Sequence, residues 1–170
     1  MCIRDRLWGF ITRYAPEASA ESHPLTDQLA GYALSYYEDF VKPAKVYRAP
    51  DDKERAAISD LADGLEAFAT HLSEDKPPMD FKFQFGGARD SVPGYFNVLE
   101  GDEGLPAICQ TMTFMVGKTH EFENLRDWFK ALYEVLLGQS QGPRFGSFTA
   151  LYGLQETAEL IRSALARDAS

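Results

Sequence analysis

Apolar side chains recur at intervals of three and four along most of this chain, which is the period of helices with one buried face. From 24 to about 41 the repeat is Leu25, Leu29, Tyr32, Tyr36 and Phe40. Lys42-Pro43 ends it, because the proline ring disfavours helical geometry at the residue before it. Such spacing buries one face by default, so this aromatic stripe is expected to be core. The next helix starts at Asp51, whose carboxylate can cap free amides while Glu54, three residues on, reaches back. Ile58, Leu61, Leu65 and Phe68 mark its buried face, and His71 at its exit complements the helix dipole. Leu105, Ile108, Met112 and Met115 or Val116 define a further helix ending near Gly117, joined through 118–121 to the next. That next helix carries Leu125, Trp128, Phe129, Leu132 and Leu136, and Gly138 ends it in a left-handed turn. A short helix over 148–152 stops at Gly153, and Leu154, Ala158, Ile161 and Leu165 place a final helix on the core with Arg162 and Arg167 facing water.

Between 77 and 104 the period changes. Phe81-Lys82-Phe83-Gln84-Phe85 alternates as a half-exposed strand does, and Tyr95-Phe96-Asn97-Val98-Leu99 could pair with it. This gives a small hairpin or a disordered insert at 81–100. The whole reads as an all-α bundle or cage of about five to seven helices, with the 105–117 helix and the helix before Gly138 central.

The 170 residues are enough for one helical domain or two small ones. Charges interrupt every apolar run within a turn or two, so no membrane-spanning helix is expected. Cys2 and Cys109 are the only cysteines and fit a reducing, cytoplasmic setting. His23, His71 and His120 are scattered, with neither metal-ligand spacing nor a nucleophile and base, so no catalytic residue and no metal site is assigned. The net charge of −9 argues against binding nucleic acid by bulk electrostatics, and DNA is not an expected partner.

The candidate chemistry gathers at 138–148, where two amides, one guanidinium and two phenyl rings are set among glycines and a proline. Gln139 and Gln141 could read a base edge, Arg144 could fork onto a base or a phosphate, and Phe145 could stack. The other reading is a packed corner, in which Arg144 closes a helix end and Phe145 and Phe148 fill the core. Lys42, Lys45 and Arg48 lie together after Pro43, either as a solvated turn or as phosphate contacts.

The segment 124–153, from Asn124-Leu125-Arg126-Asp127-Trp128-Phe129 through Gly142-Pro143-Arg144-Phe145-Gly146-Ser147-Phe148 to Leu151-Tyr152-Gly153, resembles the C-terminal end of the class I lysyl-tRNA synthetases, bacterial branch. A second block is similar to the helical segment upstream of that end: Arg13-Tyr14-Ala15-Pro16-Glu17, then His23-Pro24-Leu25, then the run from Gly31-Tyr32-Ala33-Leu34 to Lys42-Pro43-Ala44-Lys45. The resemblance implies a helical anticodon-binding domain that engages the tRNA for lysine, within a parent that joins lysine to its tRNA with ATP as substrate. The two ATP-binding signature motifs of that class do not occur in this sequence, so lysine activation is not assigned to it, and no cofactor is expected in it.

On this reading 7–50 continues from a missing N-terminal catalytic domain, which is a partner of the chain, and 51–170 is the anticodon-binding domain with a variable insert at 77–104. Met1-Cys2-Ile3-Arg4-Asp5-Arg6 does not share the resemblance and reads as a non-native leader without assigned structure, and 7–13 reads as the end of a helix. A helical interaction module that has lost its RNA role is the alternative, favoured by the acidic charge. A free-standing enzyme is disfavoured by the absence of nucleophile, metal and phosphate features.

Overall fold

The computed structural model describes residues 3–77, 81 and 104–167, and among these every regular element is helical. Helix α1 spans Ile3–Tyr14, α2 Pro24–Tyr36, α3 Asp52–Ser73, α4 Gly104–Thr119, α5 Leu125–Leu137, α6 Phe145–Tyr152 and α7 Leu154–Arg167. A π-helical turn, Tyr37–Val41, continues α2. The all-α architecture expected from the periodicity is the one observed. The hairpin or insert expected at 81–100 lies outside the described residues except for Phe81, which is buried against Phe68 with ring centroids 4.7 Å apart. The chain divides into two compact units, Met1–Lys45 and Val46–Ser170.

In the first unit α1 begins at Ile3, so the leader to which the sequence assigns no structure is helical from that residue. Pro24 opens α2, where its fixed φ suits the first turn and its missing N–H costs nothing. The Trp8 indole Nε1–H donates to Asp27 Oδ1 at 2.9 Å and ties α1 to α2. The stripe expected as core is not core: Leu25, Leu29, Tyr32, Tyr36 and Phe40 are 62–74% exposed. Periodicity fixes which residues share a face but not which face is covered. Here the covered face is the opposite one, carrying buried Ala30 with half-buried Asp27, Leu34 and Tyr37.

In the second unit α3 is started by the expected capping box. Asp51 Oδ1 accepts from the Glu54 amide at 2.7 Å, and Glu54 Oε2 accepts from the Asp51 amide at 3.0 Å. Helix α3 packs along α7, α4 packs along α6, and α5 touches α3, α4 and α7. The core joins Ile58, Leu61, Leu65 and Phe68 of α3 to Ile108, Met112 and Val116 of α4, Trp128 and Leu132 of α5, Phe145, and Ala158 and Ile161 of α7. Trp128 is fully buried, and its Nε1–H donates to the Thr113 carbonyl at 2.9 Å, which satisfies its one polar atom. Cys109 sits in this core as a small apolar residue, and burial pushes its thiol pKa up to about 12.

Two arginines expected to face water are exposed or half-exposed and are also engaged with the protein. Arg162 bonds Asp63, Glu66 and the Ser59 hydroxyl, clamping α7 to α3. Arg167 donates to the Val135 carbonyl at 3.1 Å and lies over the Tyr47 ring, 4.4 Å from its centroid.

Candidate nucleic-acid interface

Helix α5 ends at Gly138, whose φ of 67° and ψ of 26° are the left-handed cap the sequence predicts. The Gly138 amide donates to the Tyr133 carbonyl, and its own carbonyl accepts from the Val46 amide at 2.9 Å. The chain then folds over Tyr133. Gly142 lies so close to that ring that a Cβ would come within 2.7 Å of it, and the Tyr133 hydroxyl donates to the Pro143 carbonyl at 2.6 Å. Burial raises the Tyr133 pKa above the usual phenol value, so the hydroxyl keeps its proton for this bond. At the far end the Gly146 amide donates to Gln110 Oε1 at 2.8 Å, and a Cβ at 146 would overlap the Pro106 carbonyl oxygen. The corner is therefore pinned at both ends, with residues 139–144 exposed between the pins.

Arg126, Phe129, Lys130 and Tyr133 recur at i, i+3, i+4 and i+7 and share one face of α5, with Arg126 and Lys130 turned away from Trp128 and Leu132 and Phe129 at the border of the buried face. Between that face and Ser140, Gln141 and Gly142 lies an open cleft of about 580 Å³. Its floor is aromatic: the Phe129 ring meets Phe114 edge-on at 5.2 Å and tilts toward Tyr133 at 6.4 Å. Its rim holds the exposed Arg126 and Lys130, the lysine Nζ standing 3.8 Å from Glu134 Oε1. Asn124 Oδ1 accepts from the Arg126 amide at 2.9 Å and fixes the first turn of α5. A flat, unsaturated ring with an anionic backbone would meet stacking surface, hydrogen-bonding groups and cations in one place.

Of the residues singled out from the sequence, Gln141 lines the cleft, and Gln139 and Arg144 are exposed on the same loop. The Arg144 guanidinium makes no hydrogen bond or ion pair among the described residues, and its side chain does not cap α6. Phe145 is corrected: it is 2% exposed and belongs to the core, so it cannot stack on a base while the fold is intact. Lys42 and Lys45 sit in the first unit. Lys42 Nζ bonds Glu38 Oε2 at 2.7 Å, which raises its pKa, and Lys45 Nζ bonds the Tyr37 hydroxyl at 3.2 Å and lies 5.0 Å from that ring's centroid. Arg48 is occupied too, by Glu54 and Glu134. Sequence reasoning misses Arg126, Lys130 and the outward ring of Phe129. The spacing of Arg126 and Lys130 opposite Trp128 and Leu132 is the available signal, but the same period groups Phe129 with the buried positions.

The chain aligns over 163 residues, 96% of its length, with the lysine–tRNA ligase of Roseobacter denitrificans at 46% identity. Over nearly its whole length the chain is similar to one part of a lysine–tRNA ligase. The ligases of Rickettsia bellii and Rickettsia conorii align over 159 residues, 94% of the chain, at 36% and 35% identity. The chain spans about a quarter of the length of these curated relatives, 25% and 24%. No family model matches the chain. No solved structure matches it. Among the described residues no helix is long and apolar enough to cross a membrane.

Proposed function

We propose that this chain is the tRNA-binding portion of a lysine–tRNA ligase of class I, bacterial branch, and that it serves as the C-terminal, anticodon-reading end of that enzyme in the cytoplasm. The observation that carries the reading is the α5 cleft, where cations, rings and an amide converge in a chain whose relatives are tRNA ligases. Single-stranded RNA is held by stacking of unpaired bases, by hydrogen bonds to their edges and by cations on the backbone, and the cleft offers all three. In this account a splayed base lies on Phe129, Gln141 and Ser140 bond its edge, and Arg126, Lys130 and Arg144 meet phosphates. The net charge of −9 is compatible with this because the binding draws on a few placed cations rather than on bulk field. Joining lysine to tRNA with ATP is assigned to polypeptide outside this chain, which supplies no catalytic residue of its own.

The test is a titration of fluorescently labelled lysine tRNA with the 170-residue chain. Phe129→Leu keeps the bulk and loses most of the ring, and it should weaken binding by about 1–2 kcal/mol, roughly tenfold, beyond the modest loss of stability expected from its contacts with Phe114 and Tyr133, which a melting curve measures separately. Arg126→Ala and Lys130→Ala should each lower the salt slope by about one released ion. Variants that bind as the native chain does would remove the cleft from the account. The acidic charge and the exposed stripe on α2 favour a second reading, a protein-interaction module without an RNA role, in which the native chain itself binds no tRNA.

A further inference from the structure

Helix α2 and the π-helical turn after it present their most apolar face to water. At about 100° per residue, Leu25, Leu29, Tyr32 and Tyr36 fall within a narrow sector. The wider π turn keeps Phe40 in line, with its ring centroid 5.3 Å from that of Tyr36. These five side chains, each 62% exposed or more, offer roughly 600–700 Å² of surface, at or above the largest apolar patch of an ordinary monomer and close to one side of a standard interface. The face turned inward is the poorer one, with Ala30 its only buried residue. An amphipathic helix that shelters its less apolar side has a second partner.

Charge narrows what that partner is. Exposed Glu38 and Asp39 stand at the Phe40 end of the stripe, and the nearby cations are occupied, Lys42 by Glu38 and Lys45 by Tyr37. A polyanion such as RNA is disfavoured there. A second copy of the chain would bring another net charge of −9 against the first, which opposes self-association. The relatives, by contrast, are lysine–tRNA ligases about four times as long as the matched segment. A tethered apolar surface acts at high effective concentration and needs little affinity of its own.

We propose that the stripe Leu25, Leu29, Tyr32, Tyr36 and Phe40 is the seat of an apolar surface on the part of a lysine–tRNA ligase polypeptide that this chain does not span. The proposal rests on the reading of the chain as a portion of such a ligase, and it adds the face through which that portion is held. The experiment is hydroxyl-radical footprinting of Tyr32 and Tyr36 in two settings. One is the chain alone. The other is a chimaera in which the chain replaces the matching 163-residue segment of the Roseobacter denitrificans ligase, with Phe114 as internal reference.

Oxidation of both tyrosines should fall at least tenfold in the chimaera. Equal oxidation in the two settings overturns the proposal. So does protection in the chain alone that grows with concentration and accompanies a dimer in sedimentation, since the occupant is then a second copy. Should the chimaera fail to fold, the chain is mixed instead with the Roseobacter ligase lacking the matched segment. Association abolished by Tyr32→Ser with Tyr36→Ser supports the proposal, and no association, or association indifferent to that pair, defeats it. Protection without tRNA binding would sink the tRNA reading alone. Binding of tRNA with the stripe still open in the chimaera would sink this proposal alone.

Discussion

Arg48 holds the start of α3 to the last turn of α5. Its Nη1 and Nη2 donate to the two carboxylate oxygens of Glu54 at 2.7 and 2.8 Å, and its Nε donates to Glu134 Oε2 at 2.6 Å. The Arg48 bonds hold the Glu54 carboxyl below its usual range against the opposing effect of burial, and the Asp51 amide adds to them. A carboxyl depressed in the folded state adds stability that is complete above its unfolded pKa, about 4.3 for glutamate, and lost as pH falls through the lower folded value. Arg48→Met should therefore cost about 1–2 kcal/mol near neutrality, between an exposed and a buried pair, and the gap to the native chain should narrow steadily below about pH 4.3. Urea titrations at stepped pH read this directly, and a gap that stays constant into acid would contradict it. The sequence groups Arg48 with Lys42 and Lys45 because they are neighbours along the chain. Glu134, 86 residues away, is not visible there as its partner, and tertiary ion pairs of this kind leave no local mark.

Among the elements, the corner from α5 to α6 shows how close packing and exposure divide one short stretch. Gly146 is where α6 crosses α4 with no room for a side chain, whereas on α2 a Cβ added at Gly31 would meet no atom within 4 Å. Gly146→Ala should thus destabilise by about 3 kcal/mol or more through overpacking against backbone, while Gly31→Ala should stabilise by about 0.5–1 kcal/mol through helix propensity. Denaturation midpoints that move alike for the two would refute the packing account. The helices themselves were legible: the capping box at Asp51 and Glu54, the left-handed Gly138 and the buried faces of α3, α4 and α7 all follow from local chemistry and a strong period. The α2 stripe was misread, and Phe145 was left open between stacking and core, for one reason. A hydrophobic period or a Gly-Pro cluster shows that a ring shares a face or a turn, but tertiary packing decides whether that face meets core or water.

For the whole molecule, two compact units and a net charge of −9 set the terms of any RNA contact. The cleft was half legible: Gln141 came from the loop, but Arg126, Phe129 and Lys130 line a cleft with it only because the loop folds back over α5, where the Tyr133 bond to Pro143 holds it. With so few cations, a cleft that reads bases must draw its selectivity from stacking and edge contacts, and these survive salt better than phosphate pairing does. The decisive measurement is the dissociation constant of the chain for lysine tRNA and for the same transcript with an altered anticodon, at low and at moderate salt. The account predicts tighter binding to the native anticodon and a ratio between the two that persists as salt is raised. Equal binding that salt abolishes for both transcripts, or no binding to either, would contradict it.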